Sequence, residues 1–581
     1  MTCPDSLSRR RFIAGSGALA AALGSGALFP AWARNGTHGM TATNMPEVLS
    51  GEDIALTIGN SRFSTAGRTG HAITVNGTLP APLIRLREGQ NVRLAVTNTL
   101  DEQSSIHWHG LLLPFDMDGV PGVSFPGIDA GETFVYDFPL IQSGTYWYHS
   151  HSGMQEAMGL YGPIVVDPAD GARDYDREHV LVLSDFSTMH PHEQLRRLKV
   201  MGGYFNQQRQ TIAGLLAGEG QDLAERLEWA QMRMDPTDIS DVTGDTYTYL
   251  VNGHSSMENW TGIFRPGERV KLRIINASSM TNFNFRLPDL PMTVVAADGL
   301  AVKPVETDEL QIAIAETYDV VVTPREEAHG IIAEAIDRSG QVRGTLATRV
   351  GLAAPIPEIR KRPLLTMRDM GMDMSGMDMG DTLDLSQPDS GAMDHSSMSM
   401  RDPSVAPEVK MGPGVASLSP MPVDRLGDIP TGLEDVGHRV LTYAQLRSAE
   451  PNPDPRVPSR EVDLHLTANM ERYMWSINGE DFSNSPPPIP FRLNERVRVN
   501  LINDTMMPHP IHLHGHFFEL VSGEPGDRVL KHTVNVLPGG KASFDLTADA
   551  VGDWAFHCHM LLHMHSGMMR VVTVRDEGGD G

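Results

Sequence analysis

The sequence predicts an all-β protein made of three similar β-sandwich domains in tandem, and two observations carry that prediction. The first is an internal repeat. Residues 87–98 (REGQNVRLAVTN), 265–276 (RPGERVKLRIIN) and 492–503 (RLNERVRVNLIN) each read as a turn followed by a strand in which apolar and polar side chains largely alternate. The second is the pair before each copy. Asn76-Gly77, Asn252-Gly253 and Asn478-Gly479 are two-residue hairpin signals. Three copies of one β unit, each unable to bury its face alone, imply three similar sandwiches.

The elements follow in order. Residues 1–33 form a leader. Arg9-Arg10-Arg11-Phe12 fits a twin-arginine export signal, an Ala/Gly-rich apolar run reaches Phe29, and Ala31-Trp32-Ala33 is a cleavage site. No later segment is apolar enough to span a bilayer. The mature protein is therefore expected to start near Arg34, to be periplasmic, and to have no stable membrane insertion after cleavage. A net charge of −26 over 581 residues argues against a nucleic-acid partner or an anionic membrane surface. Residues 34–170 are the first sandwich and 171–352 the second. Within the second, His190 to about Asp238 loses the strand pattern. Leu195 and Leu198, then Leu223, Leu227 and Ala230, have helical spacing, so this is a helical insertion, with Met232 and Met234 in its core. Residues 353–435 are a linker biased toward Met, Asp, Gly and Ser, a mixture that cannot build a packed core and is expected to be disordered. Its thioethers at Met370, Met372, Met374, Met377, Met379, Met393, Met398 and Met400 are soft donors suited to Cu(I). Residues 436–581 are the third sandwich.

The repeats also locate a metal centre. Nine and eleven residues after the closing Asn98 come His107 and His109; the same offsets from Asn503 give His512 and His514. From Asn276 they give Phe285 and Leu287, so the middle domain lacks this set. Likewise Gly144 leads by five and seven residues to His149 and His151, and Gly552 leads to His557 and His559. Most of the 23 histidines carry no such pattern, and His71, His254, His438, His465 and His516 receive no role. Four His-x-His pairs in register suit a cluster shared between the first and third domains.

Cys558 lies between His557 and His559. On a strand it points away from its neighbours, so one strand touches two metal sites. The other cysteine is Cys3 in the leader, so Cys558 has no disulfide partner in the mature chain. His509, Cys558, His563 and Met568 supply two imidazoles, a thiolate and a thioether, the blue-copper ligand set.

In the motifs His-Trp-His-Gly (107–110), His-Ser-His (149–151), His-Pro-Ile-His-Leu-His-Gly (509–515) and His-Cys-His-x3-His-x4-Met (557–568), the sequence resembles the multicopper oxidases. The leader and the Met-rich segment resemble those of periplasmic copper-resistance oxidases within that family. The resemblance implies three cupredoxin-like Greek-key β-sandwich domains and four copper ions. His509, Cys558, His563 and Met568 would hold type 1 copper, and His107 and His512 type 2. His109, His149, His151, His514, His557 and His559 would hold the type 3 pair. Substrate electrons would enter at type 1, and dioxygen would become water at the cluster. Asp118 matches a proton-relaying acid, whereas Met564 stands where some relatives carry a second one. The implied substrates are Cu(I), oxidised to Cu(II), and dioxygen, with other periplasmic copper-handling proteins as partners. The alternatives are a laccase acting on phenols and a non-catalytic copper-sequestering protein.

Overall fold

The strands Asn91–Asn98, Val270–Asn276 and Arg496–Asn503 occupy equivalent places in three sheets. This is seen in a computed structural model that describes residues 47–372 and 401–576; the leader and Met374, Met377, Met379, Met393, Met398 and Met400 lie outside the described residues. Each repeat strand pairs on one side with a parallel strand (Asp53–Thr65, Arg177–Phe186 or Arg460–Asn469). On the other side it pairs with an antiparallel one (Thr133–Pro139, Thr317–Val322 or Gly540–Thr547). A second, five-stranded sheet completes each unit. In the first unit, side chains from both sheets share one core, with Leu94 and Val96 from one and Trp108, Tyr148 and Ile164 from the other.

The conserved geometry of the repeats rests on two asparagines per copy. Asn76, Asn252 and Asn478 take φ of 52°, 49° and 54°, and each following glycine is also left-handed, as a type I′ turn requires. The closing Asn98, Asn276 and Asn503 are fully buried. Each accepts the N–H two residues on and donates its amide to two carbonyls of the loops beyond: Glu102 and Ile128, Thr281 and Ile312, Met507 and Val536. This staple fixes where the next strand begins. That strand is His107–His109 in the first unit, Phe283–Arg286 in the second and His509–Leu513 in the third. Phe285 and Leu287 are buried in the core, which is how the middle unit spends the positions that hold histidines elsewhere.

The insertion is helical, with helices Pro191–Val200, Ile212–Leu216 and Leu223–Gln231, the last closed by an Asp222/Glu225 capping box. Its apolar stripe differs from the expected one. Leu223 and Leu227 are more than half exposed, whereas Trp229 is buried.

Two expectations about methionines need correction. Met370 and Met372, expected in a disordered linker, are buried: Met367–Met370 is a 3-10 turn, and Met370 and Met372 pack with Trp229, Ile239 and Met506. Met232 and Met234 are half-buried at the edge of that same cluster rather than in a closed core. The reason is common to both. A thioether is apolar and flexible enough to fill an irregular gap, so the edge of a biased segment can fold onto a cluster that lacks other filler. The chain after residue 400 is packed as well, with Ala406, Val409, Val415 and Leu418 buried.

This returning chain is pinned by His465, whose Nε2 meets Glu408 and whose Nδ1 meets Asp504, each at 2.8 Å. Burial would lower the imidazole's pKa, but the Asp504 bond and charge, then those of Glu408, more than offset it and raise it above 6.5. Only the doubly protonated ring donates to both carboxylates. A raised folded-state pKa means the clamp is complete below about pH 6.5 and is lost as pH climbs through the folded value. Amide exchange across residues 404–419 is therefore expected to accelerate with pH beyond its intrinsic dependence, and His465→Gln should abolish that extra increment.

Candidate metal centre

Strand pairing assembles the histidines. His107–His109 runs antiparallel to Gly144–His149, setting His107 opposite His149. His509–Leu513 runs antiparallel to Gly552–Cys558, setting His512 opposite His557 and Ile511 opposite Cys558. The two halves meet: His109 stacks on His512 at 3.8 Å between ring centroids, and His107 lies 3.9 Å from His514. All eight histidines of the four pairs converge, and all but His151 are buried. A single left-handed glycine makes one approach possible. Gly119 has φ of +82°, and a Cβ there would sit 1.9 Å from the Ile106 carbonyl oxygen, so Asp118 can be held against His107 only because no side chain follows it.

The hydrogen bonds decide which nitrogen of each ring is free. A carbonyl only accepts, so a ring nitrogen bonded to one must carry the proton. His107 Nδ1 donates to the Asp118 carbonyl (2.8 Å), His149 Nδ1 to Ser150 (3.0 Å), His512 Nδ1 to His532 (2.7 Å) and His557 Nδ1 to Cys558 (3.0 Å). His514 Nδ1 lies 2.8 Å from Asp118 Oδ2. The Nε2 lone pairs therefore face one another. His557 Nε2 lies 3.1 Å from His514 Nε2 and 3.4 Å from His151 Nε2. Nε2 of His107, His149, His512 and His559, and Nδ1 of His109, are buried with no hydrogen-bond partner among the described residues. Lone pairs at this separation repel unless a cation lies between them. Protonation does not relieve them, because burial first, and neighbouring imidazoles second, lower the pKa of His109, His149, His151, His512, His514 and His559 well below the ordinary value. Neutral imidazoles aimed at a common point are the donor set a borderline metal such as copper takes.

A second group lies on the other side of the His557–His559 stretch. Cys558 Sγ is 3.5 Å from His509 Nδ1 and 3.8 Å from His563 Nδ1, and the two nitrogens are 3.3 Å apart. The Thr505 hydroxyl donates to Oδ1 of Asn503, the repeat asparagine, and so accepts from His509 Nε2–H at 2.7 Å. His563 Nε2 donates to Asp241 Oδ2 at 2.6 Å. Both Nδ1 atoms are thus left bare toward the sulfur. Burial raises the Cys558 thiol far above its usual range, so a cation is what would make it a thiolate. Met568 is fully buried, and its carbonyl accepts the Cys558 N–H at 3.1 Å. His563 also stacks on Trp475 at 3.6 Å.

Sequence profiles of the multicopper oxidases match residues 57–171, 220–347 and 455–578. The chain is 47% identical to Copper resistance protein A of Escherichia coli, over 91% of this chain and 93% of that one. It is 46% identical to the Copper resistance protein A homolog of Pseudomonas syringae pv. tomato, over 99% of this chain and 100% of that one. The chain belongs to the multicopper oxidase family. In fold it is similar to Fet3p, a multicopper oxidase that functions in iron import, with a TM-score of 0.63 at 19% identity over 91% of this chain and 90% of that one. Multicopper oxidases are oxidoreductases that use copper and dioxygen, and the imidazole and thiol sets of this one suit copper.

In this multicopper oxidase Met370 and Met372 lie elsewhere, packed against Trp229 and Met506, but every expected histidine and cysteine donor falls into one of the two groups. Asp118 does too, though it touches the rings themselves: its carboxylate is 2.8 Å from His514 Nδ1 and 3.3 Å from His107 Nδ1. Sequence reasoning missed three neighbours. Asp241, at the end of the helical insertion, also accepts from the Tyr473 hydroxyl at 2.7 Å, and burial raises it to about 7. His532 sits edge-on to His109 at 4.7 Å. Glu156 is buried beside His149 and His559.

A cavity of about 950 Å³ is lined by Met201, Met232, Met234, Met470, Met506 and Asp238, among others, and by Thr505, one hydrogen bond from His509.

Proposed function

We propose that this multicopper oxidase oxidises Cu(I) to Cu(II) in the periplasm, reduces dioxygen to water and so confers copper tolerance. The observation that carries the reading is the thioether-lined cavity whose wall reaches Thr505, the hydrogen-bond partner of His509. Five methionines, set among acidic side chains (Asp235, Asp238, Glu471 and Asp504) and four arginines, offer soft donors to a monovalent cation. In this reading His509, Cys558, His563 and Met568 hold type 1 copper, His107 and His512 type 2, and His109, His149, His151, His514, His557 and His559 the type 3 pair. The four copper ions supply one-electron redox chemistry. The chain supplies the rest. Cys558 and its two neighbours join both donor groups through one covalent stretch. Carbonyls, Thr505, Asp241 and Asp118 fix the ring tautomers. Asp118 is placed to carry protons, of which the reduction of dioxygen to two waters consumes four. Export by the twin-arginine leader completes the reading; paired lysine replacement of Arg9 and Arg10 should retain the protein in the cytoplasm, as fractionation would reveal.

The deciding experiment is oxygen uptake by copper-loaded protein given Cu(I) or a phenol. Met234→Leu with Met470→Leu is expected to raise KM for Cu(I) roughly tenfold, equivalent to about 1.4 kcal/mol of binding, with phenol kinetics unchanged. Deleting residues 375–398, which spares the buried Met370 and Met372, should lower Cu(I) oxidation alone. Equal losses on both substrates in both variants would remove Cu(I) as the natural substrate. A phenol oxidase is the second reading, favoured by a cavity volume that accommodates an aromatic ring. Absence of oxygen uptake with either substrate would leave copper sequestration.

A further inference from the structure

We propose that Glu156 is a positioning residue of the copper cluster, one carboxylate that holds His149 of the first sandwich and His559 of the third in a common orientation. The inference rests on the reading that both histidines are copper ligands. Glu156 opens the short 3-10 turn Glu156–Met158 and is only 3% exposed. Its Oε2 lies 2.8 Å from His149 Nδ1 and its Oε1 3.8 Å from His559 Nδ1. Among the described residues Oε1 is buried without a hydrogen-bond partner, and the carboxylate's ion-pair partners are these two imidazoles. A buried carboxylate facing no lysine or arginine is costly unless positive charge stands nearby. Here the nearest place for such charge is beyond the two rings.

The ring geometry says what the carboxylate does. His149 Nδ1 also faces the Ser150 carbonyl, so it carries the proton and Nε2 is bare. Nε2 of His149 and Nε2 of His559 are both buried without partners. The rings are 4.9 Å apart, and each lies within 5.6 Å of His109, so these three form one triad. Glu156 stands behind two of its members, on the Nδ1 side. On the opposite flank Asp118 does the same for His107 and His514. Both carboxylates come from the first sandwich, and each spans one imidazole of its own unit and one of the third. A cluster shared by two sandwiches has no continuous backbone to align its halves, so carboxylates that face rings across the junction do so instead.

Glu156 is itself well anchored. Gln155 Oε1 accepts from the hydroxyls of Ser104 and Ser150, and Gln155 Nε2 donates to the Gln103 carbonyl. Gly159, left-handed at φ +113°, closes the turn with its N–H on the Glu156 carbonyl. Second-layer carboxylates of this kind typically change metal affinity by roughly 10–100-fold.

The test uses copper-loaded enzyme carrying Glu156→Gln, which keeps the shape and removes the charge, and Glu156→Asp, which keeps the charge and shortens the reach. Copper per chain is followed during challenge with a chelator, together with the paramagnetic resonance spectrum, the blue absorption and the unfolding temperature of copper-free protein. The expected result for Glu156→Gln is cluster copper lost about 10–100-fold more readily, with altered cluster resonance, unchanged blue absorption and unchanged copper-free unfolding. Glu156→Asp should restore part of the retention. The proposal is overturned if Glu156→Gln retains copper and spectrum like the parent, or if it lowers only the copper-free unfolding temperature. His149→Ala and His559→Ala serve as controls. If they too retain all copper, the ligand reading fails; if they lose it while Glu156→Gln does not, only the role of Glu156 fails.

Discussion

Cys558→Ser is expected to give a colourless protein with no oxidase activity on either Cu(I) or a phenol. Cys558 is the lone cysteine among the described residues and is fully buried between His509 Nδ1 and His563 Nδ1. A thiolate is the soft, strongly charge-donating ligand of a blue-copper site, and a serine hydroxyl is a hard donor that stays protonated there. Serine is close in shape, and leaving its hydroxyl short of partners costs about 1–3 kcal/mol, less than the 5–15 kcal/mol typical of a folded domain. The fold and the imidazole cluster, whose donors do not include this side chain, should therefore survive. The expected effect on turnover is total because the Cys558 sulfur faces His509 and His563 while its backbone runs directly into His557 and His559, so losing the thiolate removes the side chain that joins the two donor groups. Absorption, copper per chain and oxygen uptake check the result together. A variant that stays blue and active would place the copper elsewhere and sink the assignment.

The fold and the donor set were legible because both are written in local periodicity. The asparagines at 98, 276 and 503 close the repeat strands, so counting from them finds His107 and His109, Phe285 and Leu287, and His512 and His514 without any knowledge of the tertiary contacts. Asp118 was reached only through the family resemblance, and the other supporting residues were not legible, for a physical reason. Asp241 meets His563 across 322 positions, and even Asp118 meets His514 across 396. Nothing local marks the partner of a ring nitrogen when that partner belongs to another unit. Glu156 follows the His-Ser-His motif by only a few residues, yet its second imidazole, His559, is supplied by the third sandwich. The methionines show the opposite limit. Composition described the 353–435 stretch, but whether Met370 and Met372 are exposed depends on the gap beside Trp229 and Met506, which composition does not encode.

Asp118→Asn should slow oxygen reduction by roughly 10²–10⁴-fold, the usual worth of a positioned general acid, with copper content near that of the parent. The carboxylate is 1% exposed and touches two rings of the cluster, His514 Nδ1 at 2.8 Å and His107 Nδ1 at 3.3 Å. Its backbone carbonyl independently holds His107 Nδ1 at 2.8 Å, so that ring keeps its tautomer when the side chain changes. The asparagine carbonyl oxygen still accepts from His514 Nδ1–H, which preserves most of the ligand orientation. What the amide cannot do is bind and release a proton. Each dioxygen reduced to water requires four, and Met564, beside His563, offers no acid of its own. The measurement is steady-state oxygen uptake across pH, paired with copper per chain. Unchanged turnover at every pH would remove Asp118 from proton delivery. A variant that instead sheds cluster copper would make Asp118 a holder of rings, as Glu156 is proposed to be, and the proton route would then have to lie among groups that do not touch His107 or His514.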